Sequence, residues 1–277
     1  MVGNMSNLSP EPHKNRQMAE WFGLDAARYD RARPSYPEAL VDRIIALSPG
    51  KNFVDVGCGT GISSRPFQAA GCTVLGVEPD ARMADFARGR GLDVEVAKFE
   101  DWDPAGRTFD AVVSGTAWHW VDPVAGARKV ADVLSPHGLL ALFDNGFELP
   151  RAVLAAQAEA YRHAVPDASF QEPPERDREE KGAEEYAQQI YAKQYVKAAE
   201  GIRQTGAFGE PEGLRFEWDR TCTREEWLDQ LPTQGGLNHL SEDARARFLA
   251  HLGAALDELG GTFTINYATV GIAAIRR

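Results

Sequence analysis

The most constraining feature of this 277-residue chain is one stretch, Phe53-Val54-Asp55-Val56-Gly57-Cys58-Gly59-Thr60-Gly61, in which a short apolar run meets three alternating glycines. A helix-forming segment follows from Ile62. The glycines therefore fall between a strand and a helix, where backbone can approach a ligand without Cβ interference and the helix N–H groups face it. Such a turn implies a nucleotide-binding site at the head of an α/β sheet.

From Phe53 onward apolar runs and helical patterns alternate, which is the pattern of a Rossmann-like, doubly wound, mostly parallel sheet with helices on both faces. Strands are expected over 53–56, 73–77, 93–97, 109–113 and 139–143, with helices over 62–70, 82–88 and 124–133. Gly71 and Gly138 stand where helix C-caps place a left-handed residue. After Gly146 the alternation stops, and helices over 150–165 and 183–204 flank an acidic run from Glu172 to Glu180. In the second of these, Tyr186, Ile190, Tyr191 and Tyr195 share one side at helical spacing. A strand over 214–220 follows, then Thr223-Arg224-Glu225-Glu226, which reads as a capping box. A helix over 242–259 leads to Gly260-Gly261. Segments 262–267 and 270–275 then suit a hairpin-like pair at an antiparallel sheet edge.

The chain divides on this reading into an N-terminal arm with covering helices (1–52), a nucleotide-binding core (53–146), a helical lid and acceptor region (147–213), and C-terminal strands and helices that complete the sheet (214–277).

The formal charge of −11 opposes a sequence-independent grip on nucleic acid, which needs a basic face. No apolar run approaches the roughly 18 residues of a membrane span, so no membrane partner is expected and a cytoplasmic location is. The partner implied is a small-molecule acceptor; oligomeric state is not legible. Cys58, Cys72 and Cys222 show no C-x-x-C spacing and read as reduced thiols.

The glycine spacing decides against a dinucleotide. A G-x-G-x-x-G fingerprint needs its last glycine beneath the pyrophosphate, and here that position is Ile62. Asp55 inside the strand would repel a pyrophosphate but suits a cationic amine or sulfonium. Glu78, after the second apolar run, stands where a carboxylate can accept from both hydroxyls of a ribose. An adenosine joined to a cationic amino acid satisfies both carboxylates, and S-adenosylmethionine is such a ligand.

These residues resemble the class I S-adenosylmethionine-dependent methyltransferases. The likeness runs from Val54-Asp55-Val56-Gly57-Cys58-Gly59-Thr60-Gly61 through Val77-Glu78-Pro79-Asp80-Ala81-Arg82-Met83 and Phe99-Glu100-Asp101-Trp102 to Phe109-Asp110-Ala111-Val112-Val113-Ser114 with Trp118-His119-Trp120. It is similar to bacterial small-molecule enzymes related to trans-aconitate methyltransferase, and it covers about 53–146. The resemblance implies that Gly57, Gly59 and Gly61 approach the methionine part of the cofactor. It implies Glu78, with Pro79 beside it, on the ribose, Met83 and Phe99 against the adenine, Glu100 near its amino group, and Ser114 in backbone contact. Upstream, Tyr29-Asp30-Arg31-Ala32-Arg33-Pro34-Ser35-Tyr36-Pro37 resembles a segment that folds over the cofactor in relatives. Tyr29 or Arg33 could then meet the methionine carboxylate; the alternative for Arg33 is a surface ion pair.

Methyl transfer from a sulfonium is an in-line displacement, so positioning dominates and only a hydroxyl or carbon acceptor needs a base. His119, after the fourth strand, is the candidate base, with Tyr29 beside it in the catalytic set; a packing role for His119 is the alternative. Oxygen is the expected acceptor atom, ahead of carbon or nitrogen. A protein that binds the cofactor without turnover, and a nicotinamide oxidoreductase, are the other classes. Tyr161, Tyr191 and Tyr195 are candidate acceptor-lining residues. No metal is implied: the six histidines form no H-x-x-x-H pair.

Overall fold

The computed structural model describes residues 21–165, 195–237 and 240–277. The run 172–180 and the tyrosines Tyr186 and Tyr191 lie outside them. The chain forms two compact units. Among the described residues, one comprises 21–145, 195–216 and 269–277, and the other 146–165, 217–237 and 240–268. Each unit is described below by itself.

In the first unit a short 3-10 turn and α1 (Ala26–Ala32) precede an extended link and α2 (Glu38–Leu47). The sheet then begins with β1 (Asn52–Val56), followed by α3 (Ser64–Ala69), β2 (Thr73–Val77), α4 (Ala81–Gly89) and β3 (Asp93–Glu95). Next come β4 (Phe109–Gly115), α5 (Pro123–Val133) and β5 (Leu134–Glu148). Residues 195–205 are helical and are called α7 below. In the second unit lie α6 (Arg151–Ala164), α8 (Arg224–Gln230) and α9 (Glu242–Glu258). The strands β5, β6 (Glu212–Thr223) and β7 (Thr262–Ile275) each contribute residues to both units.

The seven strands run in the order β3-β2-β1-β4-β5-β7-β6. β1 is parallel to β2, with Phe53 beside Val74, and to β4, with Phe53 beside Ala111. β2 is parallel to β3 and β4 to β5. β7 runs the other way. Arg276 N–H donates to the Gly138 carbonyl and Thr269 Oγ1 donates to Asn145 Oδ1, so positions rise along β5 as they fall along β7. β6 and β7 are likewise antiparallel, since Phe208 bridges Arg276 while Trp218 stacks on Tyr267. Strand order reverses between β1 and β4, and open α/β sheets bind ligands at the carboxyl ends of strands at such a point.

Phe53, Val54 and Val56 of β1 and Ala111, Val112 and Val113 of β4 are buried, as strands covered on both faces require. Beneath them Phe67 of α3 lies 5.4 Å from the Phe53 ring and 6.4 Å from that of Phe143. Local chemistry places the helices that carry the site. Asp80 caps α4 by accepting from Arg82 N–H, and Asp122 caps α5 through the N–H groups of Val124 and Ala125, with Pro123 at the first helical position. The capping box at Thr223 and Glu226 is present at the start of α8.

Three expectations are corrected. Gly71 is left-handed after α3, with φ 82°, but Gly138 is not a helix cap. α5 ends at Val133, Leu134 pairs at once with Phe109, and residues 135–138 bulge out of β5 with His137 as the left-handed residue at φ 62°. Ser135 Oγ holds that bulge by donating to the Phe109 carbonyl at 2.7 Å. The two C-terminal segments expected as a hairpin are one strand, β7, because Tyr267, Thr269, Gly271 and Ala273 continue a buried register without a turn residue between them. The helix expected to begin at Ile62 begins at Ser64, since the glycine turn extends through Gly61 at φ 87°.

The second unit has its own core. Val153, Ala156, Ala160 and Ala164 form one face of α6, and they pack with Phe248, Leu252 and Leu256 of α9, with Trp227 and with Ile265. Small residues on α6 let the two helices approach closely.

Phe67→Ala should lower stability of the first unit by about 3–5 kcal/mol, as for a fully buried aromatic side chain. Urea unfolding followed by far-ultraviolet dichroism reads this as a lower midpoint; an unchanged midpoint would show that the site does not rest on this ring.

Candidate functional site

The site is built at the carboxyl ends of β1, β2 and β4. β1 ends in Gly57, whose φ is 68° and where an added Cβ would lie 2.6 Å from the Cβ of Ala117. A side chain is excluded there on both counts. Gly57 N–H donates to the Val77 carbonyl and Gly61 N–H to that of Cys58, so the turn is a tightly hydrogen-bonded loop.

Asp55 organises that loop from below. It is fully buried, and its Oδ2 accepts from Ser63 Oγ and Ser64 Oγ, each at 2.6 Å. Its Oδ1 is buried with no hydrogen-bond partner among the described residues, and so is Thr60 Oγ1 in the glycine turn itself. Burial pushes the Asp55 carboxyl up to about 6, against the two serine hydroxyls, which pull it down. Glu78 braces the same loop. Its Oε2 accepts from Gly59 N–H and its Oε1 from Asp80 N–H, both at 2.9 Å. Burial raises Glu78 to about 7, with the Asp80 and Asp55 charges adding to the effect. Pro79 stands between Glu78 and the cap of α4, and Met83 is buried on that helix with its Cε 3.6 Å from where a Gly59 Cβ would be.

The remaining expected residues have definite places. Phe99 is buried between two tryptophans, 6.0 Å from the Trp102 ring and 6.4 Å from the Trp118 ring. Glu100 accepts from Asp122 N–H at 2.9 Å, which ties the segment after β3 to the start of α5. Ser114 is buried and its Oγ donates to the Val56 carbonyl at 2.9 Å, joining β4 to β1. Arg33 lies over the Tyr29 ring at 5.2 Å, and the neighbouring Asp30 pairs with Arg65 at 2.8 Å. Arg65 also donates to the Thr60 carbonyl, so the N-terminal segment is fastened to the glycine turn through Asp30. Cys58 is a packing residue. Its Sγ would lie 2.5 Å from a Cβ on Gly76, and burial holds the thiol well above its usual range.

His119 sits in a single 3-10 turn, Trp118–Trp120, with its ring 4.9 Å from that of Trp120. Desolvation depresses it to about 4, so it is neutral at pH 7 and a weak base. A second titratable group was missed by the sequence reading. Asp144, near the end of β5, is buried and raised to about 6 by desolvation, while hydrogen bonds from Tyr195 and Thr116 pull it down. Tyr195 OH donates to Asp144 Oδ2 and lies 3.1 Å from the Val270 carbonyl. Tyr36 OH and Thr116 Oγ1 are 2.8 Å apart. Thr116 has φ 55°, a strained conformation for a β-branched residue, held by its N–H donating to the Phe143 carbonyl at 2.8 Å. Strain of this kind concentrates at functional sites, and here it lies just past the end of β4. The one signal in the sequence was Tyr36, inside the segment singled out before the core; the partnership with Asp144 joins positions far apart in the chain. Of the three tyrosines expected to line an acceptor, Tyr195 belongs to this network. Tyr161 packs on Phe248 in the second unit, 6.4 Å between rings.

Comparison with known proteins agrees with this construction. Residues 54–142 match the family described as a methyltransferase domain. Over these residues the chain is similar to S-adenosylmethionine-dependent methyltransferases. An uncharacterized methyltransferase of Mycobacterium tuberculosis is 35% identical over 133 residues, which cover 47% of this chain and 54% of that protein. A ubiquinone biosynthesis O-methyltransferase of Parvibaculum lavamentivorans is 29% identical over 126 residues, 43% of this chain and 50% of the other. The matched stretch thus spans about half the length of these relatives. The solved structure of a protein assigned as a type II methyltransferase from Anaeromyxobacter dehalogenans has the same fold. It aligns with a TM-score of 0.57 at 22% identity, over 87% of this chain and 97% of its own. Among the described residues no helix is long and apolar enough to cross a membrane.

Removing one of the two serine donors should raise Asp55 further, because hydrogen bonds to the ionised form favour it. Ser64→Ala is expected to move the Asp55 titration above about 6, read by carbon-13 NMR of the carboxyl group. A midpoint unchanged from the parent protein would mean that the serines do not set the charge of this aspartate.

Proposed function

We propose that this chain binds S-adenosylmethionine at the turn after β1 and transfers its methyl group to a small-molecule acceptor, at oxygen. The observation that carries the cofactor reading is the Asp55 Oδ1, buried and without a partner among the described residues, beneath a glycine loop from which side chains are excluded. A buried carboxylate in this state favours a cation. Bound there, the cofactor supplies an electrophilic methyl carbon on a sulfonium, lost by in-line displacement.

The chain's own residues then have distinct tasks. Gly57, Gly59 and Gly61 let backbone approach the methionine part, and Asp55 supplies negative charge to it. Glu78 keeps a second lone pair on each oxygen for the ribose hydroxyls while it braces the loop. Met83 and Phe99 offer apolar surface to the adenine, Glu100 faces its amino group, and Pro79 and Ser114 shape the walls. Tyr29 and Arg33 hold the carboxylate end. At the acceptor, Asp144 takes the proton. Its acidity near 6 matches neutral pH better than that of His119 near 4, and base catalysis is most efficient when the two match. Tyr36, Thr116 and Tyr195 hold Asp144 in place. His119 remains a neutral hydrogen-bond partner for the acceptor. With the cofactor bound, an acceptor hydroxyl held beside Asp144 would lose its proton to that carboxylate as the oxygen is methylated. The relative named as an O-methyltransferase supports oxygen as the acceptor atom.

The deciding experiment screens metabolite extracts with an isotopically labelled methyl donor and identifies the product by mass. Calorimetry that detects no S-adenosylmethionine binding would overturn the reading outright. A cation lowers the pKa of the carboxylates it meets, so binding releases protons where Asp55 and Glu78 titrate. Affinity for S-adenosylmethionine should rise from pH 5 to 8, steeply through 6–7 and flat above, and a pH-independent affinity would remove both carboxylates from the cofactor site. Asp144→Asn should retain cofactor affinity while lowering kcat by about 10²–10⁴, the span of general acid–base catalysis. Undiminished turnover in that variant would return the base role to His119.

A further inference from the structure

The second unit carries a cluster that the methyl-transfer reading leaves unused. Glu159 and His163 are four positions apart on α6 and so share one face of that helix. His251 projects from α9, and its ring lies 4.1 Å from that of His163 at 25° between planes. One donor atom from each of the three residues can be chosen so that all lie within 4.8 Å of one another. Glu159 and His163 are exposed and His251 is half-buried, so the group is open to solvent.

From this juxtaposition we propose that Glu159, His163 and His251 bind a divalent transition-metal cation, of the class of Zn²⁺, which clips α6 to α9. Two imidazoles and one carboxylate form a three-ligand set that such metals accept, with water completing a tetrahedron. Borderline nitrogen donors select Zn²⁺, Co²⁺ or Ni²⁺ over Mg²⁺ and Ca²⁺, which take oxygen. Metal–nitrogen distances of about 2.0–2.1 Å place tetrahedral donors about 3.3 Å apart. The observed donors must therefore close by at most about 1.5 Å, within the reach of side-chain rotation. The two rings must also turn out of their near-parallel stack so that their lone pairs converge. Rotation about χ2 does this without moving backbone, since χ2 of histidine is broad. Arg247, one turn before His251, is held elsewhere: its guanidinium donates to the Ala164 carbonyl at the end of α6, at 3.0 Å.

The consequence is mechanical. α6 and α9 are joined in the second unit by the contacts of small and aliphatic side chains, and a metal across their solvent side adds a bond between positions far apart in the chain. Binding to the folded form alone stabilises it in proportion to ligand excess over Kd. The sequence spacing argued against a metal because it looks for paired histidines on one helix, whereas here the second histidine arrives on another.

The test uses the full chain, purified without a histidine tag, stripped with chelator and titrated with Co²⁺. One equivalent should bind saturably, with the visible d–d bands of low-coordinate Co²⁺ and with displacement by Zn²⁺. His163→Ala and His251→Ala should each weaken binding at least tenfold, about 1.4 kcal/mol. Glu159→Gln should weaken it less, and His137→Asn, at a left-handed position that asparagine tolerates, should leave it unchanged. Zn²⁺ should raise the Tm of the parent protein but not of His163→Ala, which removes an exposed side chain and leaves the core intact. Absence of a saturable Co²⁺ spectrum in the parent protein would overturn the proposal. So would bands that persist at parental affinity in both histidine variants.

Discussion

A buried carboxylate under a glycine loop is the interaction on which the first unit depends. Asp55 is fully enclosed near the end of a strand whose other buried residues are apolar, and taking a carboxylate out of water is costly unless partners replace the solvent. Ser63 and Ser64 supply two of those partners, and in doing so they fix where the loop ends and where α3 begins. Glu78 does the same from the next strand, by receiving N–H groups from Gly59 and Asp80. The loop is thereby shaped by two carboxyl groups that belong to the protein. Preorganisation of this kind is what positioning catalysis requires.

The electrostatic consequence follows from burial. The Asp55 and Asp144 charges both raise Tyr36, and the Asp55 charge raises Glu78, so these groups sense one another through protein interior. In each case desolvation is the largest cause and repulsion a smaller one. Carboxylates held near 6–7 stand at the threshold of ionisation at neutral pH, and an arriving cation settles them in the charged form. Asp144, like Asp55, is held by hydroxyls, with Tyr195 and Thr116 donating to it and Tyr36 beside them. Such a network can take up a proton without rearrangement of the backbone. The left-handed Thr116 is the part of the network that costs conformational energy, and its N–H bond to Phe143 keeps it there.

Much of the first unit was legible in the sequence for a local reason. Strands β1 and β2 are short apolar runs bounded by punctuation residues, and Gly57, Gly59 and Gly61 are required where backbone turns through positive φ. The box at Thr223 and Glu226 involves four neighbouring residues, so spacing alone reveals it. The long strands were read poorly. β5 and β7 run to 15 and 14 residues, and each was expected as a fragment or a pair of fragments. A bulge at 135–138 and polar positions facing one side of β7 interrupt the local pattern, while cross-strand hydrogen bonds, invisible in a single segment, keep the strand continuous.

The sequence by itself determined the core topology and the residues of the glycine turn, because alternation, caps and positive-φ glycines are properties of adjacent positions. It also marked Asp55 and Glu78 as carboxylates out of place in apolar surroundings. What Asp55 does with its two oxygens, one bound by serines and one buried without a partner among the described residues, was decided by packing. The tertiary structure alone decided that Asp144 meets Tyr195, that Tyr36 meets Thr116 and that His163 meets His251. These pairs join positions separated by dozens of residues, and the side-chain distances that make them chemistry exist only once the backbone has folded.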